Sequence, residues 1–167
     1  MANEVTLAFG TKPILQKIQD SNPQNRLISL SETSGVAHLM LLDLSERPNV
    51  FSNPIRFEIL ADKQPAAGDA NAFYSFLNLQ LDEDHTKILR ASVDHFFDQP
   101  TPPGLQRFLL LQNRRATSEY VLLSIWDHVN AYHEWIASDS FSSFKPFYKQ
   151  SQYNFRETSY NTINLNK

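Results

Sequence analysis

The chain has 167 residues, 41% of them hydrophobic and 12% aromatic, enough to bury the core of one domain or of two small halves packed together. Its formal charge is −3 and no Lys/Arg run exceeds the pair Arg114-Arg115, which excludes the basic footprint of a nucleic-acid binder. Without cysteine, disulfides, thiolate metal sites and cysteine nucleophiles are closed, and with neither a signal-peptide start nor a run of ~20 apolar residues, a cytoplasmic, soluble protein is expected.

In chain order, the alternation Val5-Thr6-Leu7-Ala8-Phe9 predicts a strand, and Pro13 opens a short helix with Ile14, Leu15 and Ile18 on one face. Arg26 to Ser31 and Val36 to Leu44 read as a hairpin around the turn-like Glu32-Thr33-Ser34-Gly35. Ile55, Phe57 and Ile59 alternate with polar neighbours in another half-buried strand. The polar, Pro/Gly-containing stretch between Ala61 and Ala72 is the best linker, so the chain divides near residue 67 into a β-rich half, 1–67, and a second half, 68–167. The first half carries a weak echo of the β-α-β-β order of the second.

In the second half, residues 73–81 form a strand with Phe73, Leu77, Leu79 and Leu81 on one face and Tyr74, Phe76, Asn78 and Gln80 on the other. Asp82 or Asp84 caps a helix from about His85 to Phe97 that buries Ile88, Leu89, Ser92, Val93 and Phe96. Strands near 106–114 and 119–126 form a hairpin whose long apolar runs predict cover on both faces. Asp127 caps a helix to about Ala137, with Val129, Tyr132 and Ile136 centring its buried face and His128 and Trp135 on a ridge at its flank. A turn holding Phe141 and Phe144 follows, then a last strand from Gln152 to Ile163 with Tyr153 and Phe155 on one side. The order β-α-β-β-α-β is a split βαβ pattern, with helices on one sheet face and the other face free to cover a second sheet or enclose a cavity.

The strand ending in Trp126 and the phrase Trp135-Ile-Ala-Ser-Asp-Ser-Phe141 resemble the hallmark of the antibiotic-biosynthesis-monooxygenase (ABM) superfamily. Over nearly the whole chain, the layout also resembles the two-part heme-degrading monooxygenases and the TRAP signalling proteins. The resemblance implies an α+β, ferredoxin-like βαββαβ domain of the dimeric α/β-barrel superfamily, with the β-rich first half packed on it. That half supplies strands in place of, or in addition to, a second subunit, leaving monomer and homodimer both open.

Heme-degrading relatives use an asparagine on the first strand of this domain, a tryptophan on its second helix and an iron-ligating histidine ten residues beyond. Matched position by position, these are Asn78, Trp135 and Lys145. Lysine in place of histidine is a serious departure, because an ammonium has no lone pair to offer iron. Asn78 on a face with Tyr74 and Phe76 suits orientation of oxygen or a substrate carbonyl, or merely satisfies a strand-edge or barrel-mouth backbone group. Trp135 suits the wall of a flat aromatic pocket, or the rim of the core. His128, on the Trp135 ridge, is the better substitute iron ligand; His128 and His133 lie about 140° apart on a helix and cannot share a metal. Three readings stand: a monooxygenase oxidising heme or another aromatic small molecule with O2, with or without a heme cofactor; a non-catalytic ligand-binding or regulatory protein of TRAP type; and a scaffold whose cavity is filled by its own side chains.

Overall fold

The computed structural model describes residues 3–34, 38–66 and 71–166. These form β1 (Glu4–Gly10), α1 (Lys12–Ser21), β2 (Ile28–Glu32), β3 (Leu39–Asp43), β4 (Ile55–Lys63), β5 (Phe73–Gln80), α2 (Glu83–Asp98), β6 (Leu105–Asn113), β7 (Glu119–Trp126), α3 (Val129–Ile136) and β8 (Arg156–Thr162). Short 3-10 segments lie at Pro23–Asn25, Asp139–Phe144 and Ser151–Tyr153.

The strands pair antiparallel throughout and close a barrel in the order β4-β1-β3-β2-β8-β5-β7-β6. The second half contributes β8-β5-β7-β6, the ferredoxin-like arrangement of its fourth, first, third and second strands. The first half contributes β4-β1-β3-β2, the same permutation, so the faint echo in the sequence is a repeat of the whole sheet. It lacks a helix between β3 and β4, where a loop over 44–54 runs instead. The seams β2·β8 and β4·β6 join fourth to second strand in both directions. One chain thus builds both sheets, and closure leaves neither with a free edge. The division near residue 67 lies outside the described residues; β4 itself runs on to Lys63, pairing Ala61–Lys63 with Leu110, Leu109 and Phe108 beyond a bulge.

Strand periodicity sorts the side chains into two layers. The odd positions of β5 (Phe73, Leu77, Leu79) join Phe96 of α2 and Tyr132 and Trp135 of α3 in the helix-side core. Its even positions Tyr74 and Phe76 point into the barrel, against Val5, Leu30, Met40 and Leu123. A smaller cluster of Leu15, Leu27, Leu41, Phe51 and Leu165 lies under α1. No helix among the described residues is long and apolar enough to cross a membrane.

Several expectations shift. Asp82 is the N-cap of α2: its Oδ1 accepts from the His85 amide at 2.8 Å, so the helix begins at Glu83. Ile88 is 51% exposed, since only Leu89, Val93 and Phe96 of α2 face the sheet fully. Asp127 does not cap α3; its Oδ1 accepts from Gln106 Nε2 at 2.9 Å, and His128 holds the N-cap position without a side-chain cap bond. The buried face of α3 is Ala131, Tyr132 and Trp135, while Val129 is 40% exposed. The helix is rolled toward the loop at Gly104 (φ +85°), where a Cβ would stand 2.7 Å from that of Ala131. On α1 only Leu15 is buried, and Ile14 is exposed. The last strand starts at Arg156, because Tyr153 and Phe155 turn aside to pack on the helix-side core.

Candidate functional site

Trp135 sits in the middle of the buried face of α3, not at its flank, and is 2% exposed. Its ring lies 5.2 Å from Trp126, 5.4 Å from Phe96, 4.8 Å from Phe141 and 6.0 Å from Phe144, centroid to centroid. Tilted and edge-on contacts of this kind suit ring quadrupoles and leave no slot for a ligand. Its indole N–H has no hydrogen-bond partner among the described residues, whereas Trp126 donates to Ser124 Oγ at 2.8 Å.

Asn78 lies on the opposite face of the same sheet, between Val121 of β7 and Arg156 of β8. Its Nδ2 makes long bonds to the carbonyls of Phe76 (3.4 Å) and Arg156 (3.3 Å), satisfying backbone groups at the barrel mouth. The space beside it, bordered by Phe57, Tyr120, Val121, Asn154 and Arg156, is only about 150 Å³. Such a recess holds solvent rather than a planar ligand.

Lys145 follows the 139–144 segment and is exposed, as is His128 at the start of α3. The structure therefore does not bring Asn78, Trp135, Lys145 and His128 together. Heme held in the manner of the relatives does not fit these residues: the tryptophan is sealed in the core, the asparagine is across the sheet, and the ligand position carries an ammonium.

The barrel interior is filled through its middle by apolar side chains, yet it opens at the end opposite Asn78. A cavity of about 750 Å³ there falls in the ~300–1,000 Å³ range of small-molecule sites. Ile28, Leu44 and Ile125 make its apolar floor, and Asn25, Arg26, Ser45, Gln64, Tyr74, Gln106 and Arg107 its polar wall. Tyr74 is 5% exposed, and its hydroxyl has no hydrogen-bond partner among the described residues. Burial pushes this phenol up to about 12, an effect the nearby Arg107 charge partly offsets, so the group is an O–H donor at neutral pH.

The wall is held from behind. A bulge between Leu105 and Arg107 on the β6–β7 pair leaves Gln106 as the extra residue and aims Gln106 and Arg107 together at the cavity. Arg107 donates from Nε and Nη2 to Asp62 at 3.0 and 2.7 Å, a bidentate pair that fixes the guanidinium. Buried Asp43 accepts from Asn25 Nδ2 (2.9 Å), the Ser45 amide (2.8 Å) and Ser45 Oγ (2.5 Å), tying the two loops of the rim to one carboxylate. Of these residues, the sequence pattern placed only Tyr74 on the correct face; the polar pair Gln106-Arg107 ahead of the apolar run 108–111 is the signal that could have found the rest of the wall.

Residues 73–146 match the family model of antibiotic biosynthesis monooxygenases. No curated protein matches the chain. Among solved structures, a major regulator of staphylococcal pathogenesis shares the fold with TM-score 0.78 at 19% identity, over 96% of this chain and 99% of that one. A ferredoxin-fold protein from Listeria monocytogenes related to these monooxygenases gives 0.72 at 16%, over 98% and 96%. A heme-degrading enzyme from Listeria monocytogenes gives 0.70 at 20%, over 96% and 99%. At such identities the likeness is one of fold, and it spans both halves of the chain. Residues 73–146 thus form an antibiotic biosynthesis monooxygenase domain, within a chain whose overall fold is similar to that of the staphylococcal regulator and of the Listeria heme-degrading enzyme.

Proposed function

We propose that the protein is a small-molecule-binding regulator of the TRAP type, acting in the cytoplasm, rather than a heme-degrading monooxygenase. The observation that carries this reading is the enclosure of Trp135 by Trp126, Phe96, Phe141 and Phe144, on the sheet face opposite Asn78. A cofactor-free oxygenase would have to deprotonate its substrate. The described residues lining the open barrel end include no Asp, Glu or His, which supports binding over that chemistry.

Hemin titration of the purified chain, followed at the Soret band and repeated with reductant and oxygen, tests the reading. The expected result is no saturable shift and no oxygen-dependent loss of the band. A saturable shift followed by oxygen-dependent decay contradicts it and restores the heme-degrading alternative.

A further inference from the structure

From the geometry of the open barrel end we infer that it is a binding site for a small organic carboxylate with an apolar or aromatic body. This rests on the small-molecule-binding reading above and adds where the ligand binds and what chemical class it has.

The charged groups that line the cavity are both cations, Arg26 and Arg107, and Tyr74 adds a hydroxyl donor. Tyr74, a buried ring, presents a hydroxyl with no hydrogen-bond partner among the described residues. Arg107, which lines the cavity, uses Nε and Nη2 on Asp62, and its Nη1 has no hydrogen-bond partner among the described residues. Arg26 stands at the rim, held with φ 53° at the end of the 3-10 segment. Gln106 donates to Asp127 and keeps its carbonyl oxygen, the one amide acceptor of the β6 wall without a described partner. Asp62 lies behind Arg107 and Glu46 acts on it from farther away, but neither lines the cavity. An acceptor-rich, planar, anionic head satisfies this set, and a carboxylate meets a guanidinium edge and a phenol at once. The floor of Ile28, Leu44 and Ile125 then takes the apolar body.

A planar donor set with a fixed arginine also predicts discrimination. An amide of the same shape carries no charge for Arg26 and Arg107 and offers them one acceptor fewer, so benzamide binds more weakly than benzoate. None of this involves Asn78, Trp135 or Lys145, which lie across the sheet or at the other end of the barrel.

Titration calorimetry of the full chain with benzoate and with benzamide tests the inference, using wild type, Tyr74→Phe and Asn78→Ala. Benzoate is expected to bind saturably in the millimolar range or tighter, and benzamide ~10-fold more weakly or not at all, the difference one charge-assisted hydrogen bond makes. Tyr74→Phe, which keeps the ring and removes the hydroxyl, lowers benzoate affinity ~10-fold, while Asn78→Ala leaves it unchanged. Equal binding of the two probes overturns the carboxylate class, and wild-type affinity in Tyr74→Phe overturns the location. Absence of saturable benzoate binding overturns both. Heme binding in the separate titration would instead overturn the regulator reading and leave the benzoate result to stand or fall by itself.

Discussion

The two layers on either side of the β5–β7 sheet are finished differently. On the helix side, α2, α3 and the 139–144 segment bring Phe96, Phe108, Trp126, Trp135, Phe141 and Phe144 into one aromatic cluster with no space left over. On the barrel side, aliphatic residues fill the middle, one end closes on a recess of about 150 Å³, and the other opens into about 750 Å³ walled by polar groups. Of the residues that carry the family resemblance, Trp126, Trp135 and Phe141 belong to the closed layer and Asn78 to the closed end, while Lys145 is exposed. The open end is built by residues the resemblance does not name. A family motif can therefore serve packing while binding is done elsewhere on the same sheet.

Substitutions at the two places separate packing from binding. Trp135→Ala has the largest expected effect, a loss of ~3–5 kcal/mol in unfolding free energy, because a fully buried indole leaves a cavity among rings that cannot collapse onto it. Urea unfolding checks it; a loss under ~1 kcal/mol would mean the tryptophan borders an open pocket after all.

Alkaline unfolding comes next. The folded-state pKa of Tyr74 is raised to about 12 and that of Tyr132 is raised further, the latter by burial and then by its hydrogen bond to the Glu157 carboxylate. Because both folded values lie above the unfolded one, their contribution is fully present below pH ~10 and is lost as pH rises toward and through the folded values, at ~1.4 kcal/mol for each tenfold difference in proton affinity between the folded and unfolded chain. Tyr132→Phe is expected to flatten the alkaline limb more than Tyr74→Phe once the pH passes the folded value of Tyr74, about 12, and equally below it, measured as unfolding free energy from neutral pH to beyond that value. Equal limbs in both variants beyond that value would contradict the difference in environment.

At the acid end, Asp82 is held below its ordinary value by the His85 amide and then by the His85 side chain. A depressed carboxylate contributes above its unfolded pKa and loses that contribution as pH falls through the folded one. Asp82→Ala should therefore remove a small acid-dependent component of stability, read from thermal melts on either side of the carboxylate range. The smallest effect belongs to Asn78→Ala, within ~1 kcal/mol of wild type, since its bonds to two strand carbonyls are long.

The period-2 pattern of Phe73 to Leu81 is enough to sort β5 into its two faces, and the β-α-β-β-α-β order is enough for the ferredoxin-like half. Closure of the barrel by the first half is not legible, because it depends on the seams β2·β8 and β4·β6 between strands far apart in sequence. The buried position of Trp135 escapes a sequence reading because α3 packs with Ala131 close against Gly104, a contact no helical wheel contains. The open end is hidden for a related reason. Arg107 reads as an ordinary charge at a strand start until the bulge at Gln106 and the Asp62 pair orient it.

The most direct test uses the chain's two tryptophans as reporters, in an amide and indole NMR titration of the labelled full-length protein with benzoate. The expected shifts concentrate on Asn25, Ser45, Tyr74, Gln106 and Arg107, with the indole signals of Trp126 and Trp135 unmoved. Movement of the Trp135 indole with a silent barrel end would contradict the account and return the site to the helix side of the sheet.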